Sequence, residues 1–102
     1  MNEKDTWMRE FRLEEGYVDS DGRRHLEGTL RAATARDEIR ALNDFRVFLA
    51  PRRFLDVALA RTLVCFGTLD RIDAGVVERL APQDRGILER LYRELNGYDE
   101  VA

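Results

Sequence analysis

The side chains able to do chemistry are few and far apart. His25, Cys65 and Ser20 are each the sole residue of their type. A Ser–His or Cys–His nucleophile pair needs both groups within hydrogen-bond reach and a third group to orient the base. Here the pair would have to join a turn region to an apolar stretch, and nothing in the spacing brings them together. A lone histidine near a turn reads as solvated. A cysteine inside an apolar helix reads as a small buried hydrophobe, because a reactive thiol needs an electropositive, partly open setting. Asp19-Ser20-Asp21-Gly22 resembles part of a calcium loop. With Gly22 in the sixth position, however, Tyr17 falls on the first ligand and Gly28 on the closing glutamate, so a turn is the better reading. Gly67-Thr68 has neither the partner glycines nor the lysine of a phosphate loop. The sequence thus predicts no catalytic residue, no metal site and no cofactor.

Charge and composition narrow the remaining classes. The chain has 102 residues and a formal net charge of -3, with 36% charged and 44% hydrophobic residues. This fits one modest domain with no global attraction to nucleic acid or anionic membrane. Lys4 is the sole lysine, and arginines supply the other cations. A GC-rich coding sequence gives that pattern, and arginine also suits protein interfaces through its planar, stacking guanidinium. The start, Met-Asn-Glu-Lys-Asp-Thr-Trp, lacks the basic and apolar runs of a signal peptide. One cysteine allows no internal disulfide. The apolar stretch from Leu55 to Phe66 is interrupted by Asp56 and Arg61. A soluble, cytoplasmic protein is expected.

The elements follow from periodicity. Residues 1–9 read as a flexible leader. Phe11 and Leu13 alternate with Arg12 and Glu14, and Leu26, Gly28 and Leu30 alternate with Glu27, Thr29 and Arg31 across the Asp19–Gly22 turn. This is the signature of a β-hairpin over about 10–33. Thr34-Ala35-Arg36-Asp37 has the form of a capping box and opens a helix over about 35–44, with Ile39 and Leu42 predicted to face inward. Phe45 to Leu49 reads as an apolar connector. Pro51 opens a second helix to about Phe66, ended by Gly67. Asp73 caps a third over about 73–80, with Ile72 and Val77 in staple positions. Pro82 opens a fourth over about 82–96, with Asp84 in its first turn. Its outer face carries Arg85/Glu89, Glu89/Arg93 and Arg90/Glu94 at the spacing of intrahelical ion pairs. Residues 98–102 form a tail. The predicted fold is α+β and mainly helical, a single domain with an N-terminal hairpin packed on a four-helix unit.

Gly28-Thr29-Leu30-Arg31-Ala32-Ala33-Thr34 leads into Asp37-Glu38-Ile39, then Asp44 and Arg46-Val47. Phe66-Gly67-Thr68-Leu69, Val77-Glu78-Arg79-Leu80, Asp84, Leu88, Leu91-Tyr92 and Asn96 follow in order. In this succession, from about Phe11 to Asn96, the chain resembles the small tail assembly proteins of tailed phages and phage-tail-like contractile injection systems. The charged leader and the Leu49-Ala50-Pro51-Arg52-Arg53 segment depart from that pattern. The resemblance implies a non-enzymatic chaperone or accessory factor that binds tape-measure or tube components, with no catalytic residues. It also implies a protein partner, and the charge balance separately predicts neither nucleic acid nor membrane as one. A structural place in the baseplate or tail particle is the first rival, and self-association into a homo-oligomer is compatible with either. A small DNA-binding regulator is the second rival, and the glutamates among the arginines of the last helix oppose it.

Aromatic residues in excess of what a small core can hold mark the expected binding surface. Phe11, Tyr17, Phe45, Phe48, Phe54 and Tyr98 are the candidates.

Overall fold

The structure is a computed structural model and describes residues 7–97. It has the predicted α+β class. Strands β1 (Met8–Val18) and β2 (Arg24–Arg31) form the hairpin. Helices α1 (Ala35–Leu42) and α2 (Phe45–Leu49) follow, then a 3₁₀ turn (Pro51–Arg53) and helix α3 (Phe54–Thr62). Strand β3 (Leu63–Phe66), helix α4 (Ala74–Glu78) and helix α5 (Pro82–Leu95) complete the order. The sheet runs β1-β2-β3 and is antiparallel throughout. Met8 and Arg9, assigned to the leader on sequence grounds, already pair with Arg31 and Leu30. The predicted tail lies outside the described residues.

The hairpin turn follows from Asp19. Its backbone accepts from the Gly22 N–H at 2.9 Å, and its Oδ1 accepts from the N–H groups of Asp21 and Arg23. Gly22 takes φ 84°, where a side chain would be strained.

The second helix departs from its predicted length. Residues 63–66 leave it to become β3, which pairs Phe66 with Gly28 and Cys65 with Thr29. Leu63 adopts ψ 113°, and the Thr62 hydroxyl closes the helix end by donating to the Ala58 and Leu59 carbonyls. The cause is tertiary. The hairpin leaves one edge of β2 with unpaired backbone groups, and β3 satisfies them. Gly28 permits the close approach, since a Cβ there would stand on the Cys65 carbonyl oxygen and against the Phe11 ring. Gly67, at φ 57°, therefore ends a strand and not a helix. Val64 is the extra residue where the β2–β3 register shifts, and its side chain turns outward. The Phe45–Leu49 segment is likewise a helix and not an irregular connector.

Leu30, Leu59, Phe66, Val77, Leu88 and Tyr92 are wholly or almost wholly buried at the centre of the core, between the sheet and helices α3 to α5. Strand β1 does not run evenly across it. The β1–β2 register breaks between Arg12 and Tyr17. The bulged N–H groups of Glu14, Glu15 and Gly16 all donate to Asp84, at 2.8, 3.0 and 2.8 Å. Asp84 is fully buried in the first turn of α5. A carboxylate is tolerated there because three donors and the positive helix end compensate its lost hydration. Gly16, at φ 75°, has no room for a Cβ beside the His25 carbonyl.

Asp84→Ala is expected to lower the unfolding free energy by about 3 kcal/mol, roughly 1 kcal/mol for each orphaned N–H. Asp84→Asn, which keeps one acceptor oxygen, should lose less. Urea titration followed by circular dichroism measures both; a loss below about 1 kcal/mol for the alanine variant would contradict the role given to Asp84.

Candidate functional site

Helices α1 and α2 carry an apolar face built in an unusual way. The Thr34 side chain accepts from the Asp37 N–H at 3.1 Å, and Asp37 accepts from the Thr34 N–H at 2.8 Å, closing the predicted capping box. Asp37 does more than cap. It is buried and accepts from both terminal guanidinium nitrogens of Arg31, at 2.7 and 3.2 Å, with Arg61 Nε at 3.6 Å. Arg31 also donates to the Arg61 carbonyl. The end of β2, the start of α1 and the end of α3 are thus joined at one carboxylate. The Arg31 guanidinium, more than any other group, holds the Asp37 carboxyl well below the usual carboxylate range.

The inward side of α1 is narrow. Asp37 and Ala41 are its buried residues, and Glu38 accepts a hydrogen bond of 2.6 Å from the Tyr92 hydroxyl of α5. Ile39 and Leu42, expected to face inward, are 57% and 60% exposed. The physical reason is that small Ala41 lets α1 lie close to α3, while the Asp37 pair occupies the neighbouring position. The apolar residues of the helix are left on its outer side.

Helix α2 repeats the arrangement at smaller scale. Asp44 caps it by accepting from the Arg46 N–H at 2.8 Å and from the Arg46 side chain. Val47 is its one buried residue. Phe45, Phe48 and Leu49 stand out at 69%, 78% and 66% exposure, the two rings stacked with centroids 6.2 Å apart. Ile39 and Leu42 of α1 are exposed as well, so two consecutive helices each carry large apolar side chains open to solvent. Such a concentration on a small domain makes these helices the candidate binding surface.

The six sequence candidates separate. Phe45 and Phe48 lie together on this face. Phe11 is buried against Phe66 with ring centroids 5.8 Å apart, so it belongs to the core. Tyr17 is half-buried and stacks on His25, and Phe54 is half-buried against the core. Tyr98 lies outside the described residues. Ile39, Leu42 and Leu49 were missed as surface residues, although the three-residue step from Leu42 to Phe45 to Phe48 is readable in the sequence.

Three other expectations change. His25 is not a solvated histidine. It is 4% exposed, with Nε2 2.8 Å from Asp19 Oδ2 and Nδ1 accepting from the Thr68 N–H at 3.2 Å. The proton therefore sits on Nε2 and donates to Asp19, whose carboxyl is held low chiefly by that bond. A Cβ at Gly67 would collide with this ring. Cys65 is exposed on β3 and not buried in a helix. Two charged residues of α5 pair with other elements: Arg85 with Asp56 of α3, and Glu94 with Arg9 of β1 at 3.3 Å.

Among the described residues, no group of three or more His, Cys, Asp and Glu side chains is placed to hold a metal ion. Nor is any helix there long and apolar enough to cross a membrane. Comparison with protein-family models, curated proteins and solved structures finds no match to this chain.

Asp37 gives the face a pH dependence of defined sign. A carboxylate whose folded pKa lies below its unfolded value near 3.8 contributes stability above that value, and the contribution is lost as pH falls through the folded one. Acid titration of wild type against Asp37→Asn, followed by circular dichroism, is expected to show a stability gap at pH 6 that narrows below about pH 4. A gap that persists unchanged to about pH 2 would rule out the Arg31–Asp37 pair as its source.

Proposed function

We propose that this chain is a non-enzymatic assembly protein of phage-tail-like particles that holds a segment of a larger tail component on the α1–α2 face. The observation that carries the reading is the outward set Ile39, Leu42, Phe45, Phe48 and Leu49. Folding alone gains nothing from leaving such side chains in water, at a cost of roughly 25 cal/mol per Å² of apolar surface that burial would recover. A partner that covers them recovers it. The tail-assembly part of the proposal rests on the ordered motifs from Phe11 to Asn96 and on their resemblance to tail assembly proteins. It takes the tape-measure or tube protein as the larger component.

The role follows from such a face. A small domain that covers an apolar segment of a long partner keeps that segment from self-association until tube subunits replace it. Binding must then be reversible. That suits a compact surface of five apolar side chains better than a large obligate interface.

The test is a Phe45→Ser/Phe48→Ser double variant, tagged and expressed with the tail genes. Because both residues are exposed, stability should change by no more than about 0.5 kcal/mol. Recovery of the tape-measure or tube protein should fall about tenfold or more. Undiminished recovery by the folded variant would exclude this face. Mass spectrometry of purified particles gives the second readout. An assembly factor is absent or scarce there, whereas a stoichiometric amount would make the chain a structural part of the tail.

A further inference from the structure

Charge around the α1–α2 face specifies what covers it. Arg36 and Arg40 are one helical turn apart on α1, next to Ile39, and both are exposed. Arg52, also exposed, lies in the 3₁₀ turn that follows Leu49. Among the described residues none of these three takes part in an ion pair. The acids of the same elements are already engaged. Asp37 is held by Arg31 and Arg61 and Asp44 by Arg46, while Glu38 accepts from the Tyr92 hydroxyl, a neutral donor. Among the described residues, an apolar face on a chain of net charge -3 is therefore bordered by three exposed arginines that take part in no ion pair.

The backbone defines the occupant further. The face is made of helix side chains, and the first turns of both helices are capped, by Thr34 and Asp44. It offers no open row of N–H and C=O groups to an added strand. The occupant must satisfy its own backbone, as a helix does.

We infer that the α1–α2 face binds an amphipathic helix of another protein whose apolar stripe is flanked by glutamate or aspartate. This rests on the reading of that face as the binding surface and names the chemistry of its partner. The apolar stripe covers Ile39, Leu42, Phe45, Phe48 and Leu49, and the flanking carboxylates meet Arg36, Arg40 and Arg52. A second copy of the chain is a poorer occupant, because a twofold contact through this face brings arginine borders toward each other.

The test uses the full chain and two synthetic helical peptides of about 18 residues, roughly 27 Å long. They share one leucine stripe and differ only in having glutamate or lysine at the flanking positions. Fluorescence anisotropy should show the glutamate peptide binding about tenfold more tightly at about 0.01 M ionic strength, with the preference largely lost at about 1 M. Arg36→Glu/Arg40→Glu should reverse the preference, and Phe45→Ser/Phe48→Ser should remove binding of both peptides.

The failures are separable. Equal binding of the two peptides, or preference for lysine, overturns the acidic-partner inference while leaving the face a protein-binding surface. Binding of neither peptide by a monomeric, folded chain overturns both. Sedimentation that shows a dimer abolished by Phe45→Ser/Phe48→Ser makes the face a self-interface. Binding to vesicles of phosphatidylglycerol and phosphatidylcholine, without preference for the glutamate peptide, assigns it to an anionic membrane.

Discussion

One buried carboxylate ties the two halves of this fold together. Asp84 receives the N–H groups of Glu14, Glu15 and Gly16 and so fixes where β1 leaves its register with β2. The same residue stands in the first turn of α5, so the hairpin and the last helix share one anchor. At its other end α5 is fixed again. Asn96 caps the helix, its Oδ1 accepts from the Ala33 N–H at 2.9 Å, and its Nδ2 donates to the Tyr92 carbonyl. Helix α5 is thus held at one end by the bulge of β1 and at the other by the segment that follows β2. From its last turn, the Tyr92 hydroxyl reaches Glu38 and helps to set the position of α1. A hydrogen-bonded carboxylate at one end of the molecule is in this way linked to the placement of the apolar face at the other.

Local chemistry was legible in the sequence and long-range chemistry was not. The capping box at Thr34, the cap at Asp73, the helix start at Pro82 and the turn at Asp19 depend on neighbours within a few residues. Asp84 also looked local, as an acid complementing a helix dipole. Its three donors lie 68 to 70 residues earlier, and no periodicity announces them. His25 is the parallel case. Its position near a turn suggested solvent, but Asp19, Tyr17, Phe66 and Thr68 enclose it, and Thr68 is 43 residues away.

The two larger misreadings share a cause. Leu63–Phe66 has a composition that suits a buried helix or a strand equally, and periodicity cannot separate them over four residues. The open edge of β2 decides, because unpaired backbone groups near a core cost more than a shortened helix. On α1, the usual inference that the larger apolar residues face inward inverted the helix. An Asp bound by two arginines and an alanine are the residues turned inward. Burial there is set by what the β2–α1–α3 junction can receive, and hydrophobicity alone does not report that.

That inversion explains how the face persists without collapsing into the core. Helix α1 is held by polar contacts that are directional: the Arg31–Asp37 pair, the Thr34 cap and the Tyr92–Glu38 bond. Rotating the helix to bury Ile39 and Leu42 would break all of them and leave the Asp37 carboxylate in an apolar setting without its partners, a change costing several kcal/mol. Helix α2 is too short to reorganise the domain, and Val47 with the Asp44 cap fixes which side points in. The apolar surface is therefore held outward by electrostatics on the opposite side of the same helices. A partner on the proposed face would meet side chains already arranged on a fixed backbone, and little further ordering of this chain would oppose its binding.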